Sequence, residues 1–296
     1  AIRISRILRI ISGKRSMRSS AGFSFWCGTR FRININPKLI EDGIRVAQDK
    51  GLNPKAIIPV DLFGLPADYK AIETVAKENN LFVLEDAAQG FGGEINGEKA
   101  GSFGHVAATS FFPAKPLGCY GDGGAIFTND DKLTIIMESI RVHGGGVDKY
   151  DNVRVGLNGR LDTIQAAILL EKLAIFLKEV NQRNEAADYY SKNLPAQFKK
   201  PLVINDFRSS WAQYSILAKS SEMRGKAMVA LKEKDIPSMI YYRLPLHLQK
   251  VFEELGYSPG DFPVTEDTSE RIFSLPMYPY LEKQDQENIL EVLNKV

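Results

Sequence analysis

Lys115 closes the segment SFFPAK (110–115) and runs directly into the glycine-rich stretch PLGCYGDGG (116–124). Upstream, the apolar run LFVL (81–84) ends in the acidic EDAAQ (85–89). A lysine set between a strand-like run and a tight loop can shed its proton and attack a carbonyl carbon, and its neighbours can tune that chemistry. Most loop lysines do neither, so the neighbours decide. Taken singly, each has an ordinary reading. Asp86 could cap a helix, Ser110 could be a strand serine, and Gly121, Gly123 and Gly124 could serve a turn with positive φ. Asn158 could be a turn residue. Gln89 alone carries no information.

These residues need elements to hold them. PKLIEDGIRVAQDKG (37–51) has helical spacing with Pro37 near its start and Gly51 as a stop. KAIIPVDLFG (55–64) reads as a buried strand, DYKAIETVAKENN (68–80) as a second amphipathic helix and LFVLED (81–86) as the next strand. HVAATSFF (105–112) and GGAIFTN (123–129) are strand-like, and a helix follows through KLTIIMESIRVHG (132–144). Strands alternating with helices predict a mainly parallel sheet covered on both faces, with ligands at the carboxyl ends of the strands. Asp86 lies at such an end. A polar, glycine-rich loop (144–162) then leads into about thirty residues of helix formers (163–194), long enough to bridge two domains. Strands at 211–218 and 238–243 and helices at 221–235 and 282–296 predict a smaller α+β domain.

Composition bounds the class. At 44% hydrophobic and 25% charged residues over 296 positions, the chain reads as an ordinary globular protein with room for two domains. No apolar run approaches the ~20 residues of a membrane-spanning helix. Cys27 and Cys119 lack paired spacing, and His105, His143 and His247 are far apart, so neither a disulfide framework nor a metal site is indicated. This pattern predicts a cytoplasmic chain. Residues 1–32 carry eight basic residues and no acid, which leaves 30 basic against 36 acidic residues in the remainder. The alkaline balance therefore belongs to the N-terminal segment and indicates no nucleic-acid surface on the main body.

EDAAQ, SFFPAK, GDGGAIFTND and GLNGRLDTIQAA, in that order, closely resemble the DegT/DnrJ/EryC1/StrS sugar aminotransferases, from about residue 34 to the C-terminus. The resemblance implies an α/β chain of the fold type I, aspartate-aminotransferase-like class: a pyridoxal-phosphate-binding large domain over 34–175 and a linking helix with a small domain over 176–296. It implies that Lys115 joins the aldehyde of pyridoxal 5'-phosphate and later moves a proton between carbons. Asp86 would lie at the pyridine nitrogen, Gln89 near the ring oxygen and Ser110 at the phosphate. Asn158 would reach the phosphate from a partner subunit, so a homodimer is expected. His247, and with less reason His143, are candidates for the substrate side. The implied reaction moves an amino group from an amino acid, glutamate in most relatives, to a nucleotide-linked keto-sugar. RLDTIQAAILLEKL and WAQYSI point to the subgroup acting on UDP-linked 3-keto-N-acetylhexosamine uronates in surface-polysaccharide synthesis.

The departure is at the front. The glycine/serine/threonine phosphate loop with which the family begins has no counterpart in residues 1–33, a basic segment expected to be a truncation or frameshift product; a targeting peptide and a basic arm are the alternatives. The chain as given is accordingly expected to bind its cofactor weakly. A non-catalytic remnant of the family remains an alternative function. So does a related sugar dehydratase, although those relatives carry histidine where Lys115 stands. A Rossmann protein is disfavoured because no G-x-G-x-x-G follows the first strand.

Overall fold

The computed structural model describes residues 30–31, 33–148 and 150–296. Apart from 30–31 and 33, the basic segment read over 1–33 lies outside the described residues, as does Cys27. The elements run β1 (Arg30–Phe31), α1 (Ile40–Asp49), β2 (Ala56–Ile57), α2 (Tyr69–Glu78) and β3 (Phe82–Asp86). The short β4 (Glu94–Ile95) and β5 (Glu98–Lys99) precede β6 (Val106–Ser110), β7 (Gly124–Phe127), α3 (Asp131–Arg141) and α4 (Thr163–Asn193). The C-terminal part contains β8 (Lys200–Pro201), β9 (Phe207–Arg208), β10 (Tyr214–Leu217), α5 (Ser221–Lys232), α6 (Pro263–Arg271), β11 (Ile272–Leu275) and α7 (Lys283–Asn294).

The central sheet has the order β2-β3-β6-β7, its first three strands parallel and β7 antiparallel to β6. α1 and α2 pack on it through Ile40, Ile44, Ile72 and Ala76, which meet Ile57, Leu81 and Val83 in one core cluster. Three of the helices begin where a polar side chain satisfies a free backbone amide. Asp68 accepts from the Ala71 amide at 3.3 Å, Asp130 from the Lys132 amide at 2.8 Å, and Ser220 from the Met223 amide at 3.1 Å.

α4 is one unbroken helix of 31 residues. All but one of its buried side chains (Leu169, Phe176, Val180, Arg183, Ala187 and Tyr190, with Ala186 beside them) recur every three, four or seven positions and so form one stripe. Leu169, Phe176 and Val180 pack against Phe111, Leu117 and Cys119. Ala187 and Tyr190 join a second core with Tyr214, Ile216, Leu231, Phe273 and Leu293. At the handover the buried Arg183 guanidinium donates to the carbonyls of Trp211 at 3.0 Å and Met277 at 3.2 Å.

Two expectations need correction. Residues 238–243 form no strand; Met239 makes one isolated bridge to Ser274, and β11, unrecognised in the sequence, pairs with β10 instead. The run 55–64 is strand only at Ala56–Ile57, because Asp61 begins a tight turn in which Phe63 has φ of 61°. Leu231 is fully buried within the second core. Leu231→Ala should cost about 2–5 kcal/mol, read as a lowered urea midpoint by circular dichroism; an unchanged midpoint would show that this core does not hold the C-terminal part together.

Candidate active site

Alternation along the strands sorts the polar residues by face. Asp86 is the Cα partner of Ala108 across the β3–β6 pair, and Ser110 lies two positions further along β6, so Asp86, Ala108 and Ser110 share a sheet face. Glu85, Ala107 and Thr109 occupy the other face and are buried. Asp86 is held by its backbone, donating to the Pro59 carbonyl at 2.9 Å and accepting from the Asp61 amide at 3.0 Å. Its Oδ1 accepts from the Ala88 amide at 3.1 Å, which fixes the carboxylate's direction.

Lys115 sits on a turn pinned at both ends. Phe111 donates its amide to Gly123 at 2.8 Å and accepts from the Cys119 amide at 2.8 Å, and the Lys115 amide returns to the Phe112 carbonyl at 2.8 Å. Phe111, Leu117 and Cys119 are buried against α4. α4 also reaches the turn with polar groups: Lys172 Nζ donates to the Gly118 carbonyl at 2.5 Å, and Gln165 Oε1 accepts from the Tyr120 amide at 2.8 Å. Partial burial lowers the pKa of the Lys115 ammonium below the ordinary lysine value, and the Asp86 carboxylate nearby opposes part of that shift. The amine is thus close enough to the carboxylate to respond to its charge. Ser110 Oγ accepts weakly from the Phe112 amide at 3.3 Å.

Gln89 is buried and its amide is committed at both ends. Oε1 accepts from the Phe63 amide at 2.6 Å, and Nε2 donates to the Tyr242 hydroxyl at 3.1 Å. The Gln89 carbonyl accepts from Ser210 Oγ at 2.8 Å. Tyr242 and Ser210 belong to the C-terminal part, so that part grips the turn following Asp86. Asp61, Ser210 and Tyr242 escaped the sequence reading. Only Asp61 left a signal there, as an acid opening the run DLFG (61–64) after the apolar stretch.

The structure brings together Asp86, Gln89, Ser110 and Lys115 and places the other three candidates elsewhere. Asn158 is exposed, bridges to Val142 and accepts from Arg160 Nε at 3.0 Å. His143 is exposed in the same loop region, with φ of 58°. His247 Nε2 meets Glu266 Oε1 at 3.0 Å and its ring packs against Phe262, so its exposed polar capacity is small. A depression of about 910 Å³ lies over β6 and β7, lined by Ala108, Ile126, Met137 and Leu157, and it excludes Lys115 and Asp86. No cluster of metal-ligating side chains occurs among the described residues, and no helix there is long and apolar enough to cross a membrane.

A nucleophilic amine, a carboxylate, a hydroxyl and an amide within one strand-end cluster form the donor set that pyridoxal 5'-phosphate requires: a partner for its aldehyde, one for its ring nitrogen and one for its phosphate. The residues present fit that group. The turn around Lys115 leaves no slack, since a Cβ at Gly118 would lie 2.6 Å from the Pro113 carbonyl oxygen and 2.7 Å from that of Phe112. Gly118→Ala should therefore lower stability by about 1–3 kcal/mol, measured by urea unfolding; a variant as stable as the parent would mean that the turn is free to shift.

Comparison with known proteins gives the family. The model of the DegT/DnrJ/EryC1/StrS aminotransferase family matches residues 30–294. A UDP-2-acetamido-2-deoxy-3-oxo-D-glucuronate aminotransferase of Pseudomonas aeruginosa is 40% identical over 250 residues, covering 84% of this chain and 66% of the relative. A pleiotropic regulatory protein of Geobacillus stearothermophilus is 41% identical, covering 88% of this chain and 68% of its own. Among solved structures, a DegT DnrJ EryC1 StrS aminotransferase from Brucella abortus superposes with a TM-score of 0.83 at 49% identity, covering 88% of this chain and 70% of that one. The chain thus spans about two thirds of the length of the curated relatives it matches. Enzymes of this family use pyridoxal phosphate. With the fold, the strand-end cluster and these matches in agreement, the chain belongs to the DegT/DnrJ/EryC1/StrS aminotransferase family.

Proposed function

We propose that this chain serves a pyridoxal-phosphate-dependent transfer of an amino group from an amino acid, glutamate by preference, to a nucleotide-linked keto-sugar. The observation that carries the reading is Lys115: a partly buried amine on a pinned turn, beside the Asp86 carboxylate and above the same sheet face as Ser110. Asp86, Ser110, Gln89 and Lys115 would hold the cofactor. When bound, that group supplies an electron-withdrawing ring that accepts charge from the carbon beside the transferred nitrogen.

The chain's own residues do the rest. Burial disfavours the Lys115 ammonium, so Nζ spends more time as the free amine that can attack an aldehyde carbon, and as the base that takes and returns a carbon-bound proton. Asp86 presents a fixed carboxylate to a protonated ring nitrogen. Ser110 offers a hydroxyl to a phosphate oxygen, and Gln89 stiffens the turn between them through Phe63 and Tyr242.

The finer reading is a UDP-linked 3-keto-N-acetylhexosamine or its uronate, in surface-polysaccharide synthesis. Support comes from the Pseudomonas aeruginosa relative, which is named for such a sugar. We further read the active unit as a homodimer, with Asn158 serving the partner's site. The exposed apolar side chains of α4 (Ile164, Leu170, Leu173, Leu177) and of the preceding loop (Val153, Val155, Leu157) support a covered surface there. His247 and His143 are retained as candidates on the substrate side. The chain divides within α4, residues 34–175 forming the cofactor-binding part and 176–296 the linking helix and small domain.

Mixing the purified chain with pyridoxal 5'-phosphate should produce the visible absorbance of a lysine-bound cofactor, and Lys115→Ala should abolish it. The rate of appearance should rise with pH and level off below the ordinary lysine pKa of about 10.4, because only the unprotonated amine reacts and burial has lowered its pKa. An unchanged band in the alanine variant would assign the chemistry to another lysine.

A further inference from the structure

Two acids that this chemistry does not use lie beneath the site. Asp61 and Glu85 are both fully buried. Each oxygen of Glu85 has a backbone donor: Oε1 accepts from the Gly101 amide at 2.6 Å and Oε2 from the Phe103 amide at 2.8 Å. Asp61 Oδ1 accepts from the Ala67 amide at 3.0 Å and from the Tyr69 hydroxyl at 2.9 Å. Asp61 Oδ2, equally enclosed, has no donor at all. The acid that faces it is Glu85. The ring of Tyr69 stacks on Phe103 at 4.5 Å, which closes a loop of contacts through Asp61, Tyr69, Phe103 and Glu85.

Two carboxylates in contact and out of water cannot both ionise, and neither can donate to the other. One proton removes both difficulties. We propose that Asp61 and Glu85 share a single proton, carried on Asp61 Oδ2 and donated to Glu85, and that this pair positions the 86–90 turn that presents Asp86 and Gln89. Glu85 keeps the charge because two amides already point at it. Burial, and after it the charge on Glu85, hold the Asp61 carboxyl well above the ordinary carboxylate range.

The positioning follows from contacts already made. The Asp61 amide donates to the Asp86 carbonyl at 3.0 Å. A side chain on Gly90 would collide with the Asp61 carboxyl, so that carboxyl fills the space under the turn. Two residues on, the Phe63 amide holds Gln89 Oε1. The other titratable groups acting on the pair are Tyr69 from α2 and Glu98 from β5, neither of them a cation. Only the identity of Asp86 and Gln89 as site residues rests on the function proposed above; the shared proton does not.

The folded chain retains a proton that the unfolded chain loses above about pH 4. Rising pH therefore penalises the folded parent, tenfold in its folding constant per pH unit, until the folded-state pKa is passed. Asp61→Asn substitutes a permanent N–H donor that does not titrate. Its folding constant relative to the parent should climb roughly tenfold per pH unit from about pH 5 to 7, measured by urea unfolding of the full chain. Glu85→Gln sets an NH₂ group against one of the two backbone amides and should lower the folding constant by roughly tenfold or more at every pH. Asp61→Leu should weaken pyridoxal phosphate capture, while Asp61→Asn retains it. A ratio that stays flat with pH, or a Glu85→Gln variant as stable as the parent, overturns the proposal. Should Asp61→Asn fail to fold, infrared spectroscopy of the parent decides. A protonated-carboxyl C=O band must persist at about pH 6, where a free carboxyl is ionised, and vanish on denaturation, and its absence refutes the pair. A parent that takes up no pyridoxal phosphate counts against the proposed activity, while unfolding and infrared measurements still judge the pair.

Discussion

The backbone pairing of Asp86 fixes most of what the rest of the molecule can do. On one side it exchanges hydrogen bonds with Pro59 and Asp61, and on the other the next residue, Ala87, donates to Ala108 at 2.9 Å. Three chain segments are thereby locked at their carboxyl ends, where a parallel sheet leaves room for a ligand. Because successive strand residues point to opposite faces, a one-residue slip would exchange the environments of Glu85 and Asp86. An acid meant for the ligand would then be buried, and one meant for burial would be in solvent. The register is held by apolar residues far from the chemistry, Val83 and Ile57 above all, since these meet α1 and α2 in the core.

The sequence made the main lines of this arrangement legible for identifiable reasons. The amphipathic segment 68–80 and the long run of helix formers at 163–194 are readable locally, and the structure places helices at 69–78 and 163–193. The acid–amine cluster was legible through the ordered motifs that resemble the family, because Asp86, Ser110 and Lys115 taken singly have ordinary readings. What escaped depended on contacts between distant segments. SMIYYR has the composition of a strand, but β10 is already paired with β11, and the run is left as a turn with a single bridge. Tyr242 and Ser210 lie more than a hundred residues from Gln89, and no local pattern announces such a partnership. Glu85 was written beside Asp86 in plain view. Its separate role shows only once the alternation of faces is combined with its buried donors.

The two parts of the chain meet at the site rather than merely beside it. Ser210 and the main chain at 210–213 hold Phe63, Gly64 and Gln89, and Arg183 and Asn184 of α4 hold Trp211 in turn. A buried guanidinium parted from its carbonyl partners is left unsatisfied at a cost, so relative motion there is resisted by polar geometry as well as by packing. Rigidity of this kind suits a site whose amine and carboxylate must keep their separation without a covalent tie.

α4 runs unbroken for about 46 Å at 1.5 Å per residue. One stripe along it serves one core as far as Val180 and the other from Ala187 onward. A helix advances by about 100° per residue, so inserting or deleting a single residue between those positions would turn one stripe away from its core while the other stayed seated. A substitution in that span acts on its own contacts alone, whereas a change in its length acts on a whole core. The helix acts as a phase gauge between the two cores, and a tolerated one-residue deletion at 181–186 would show that the cores are not geared to each other.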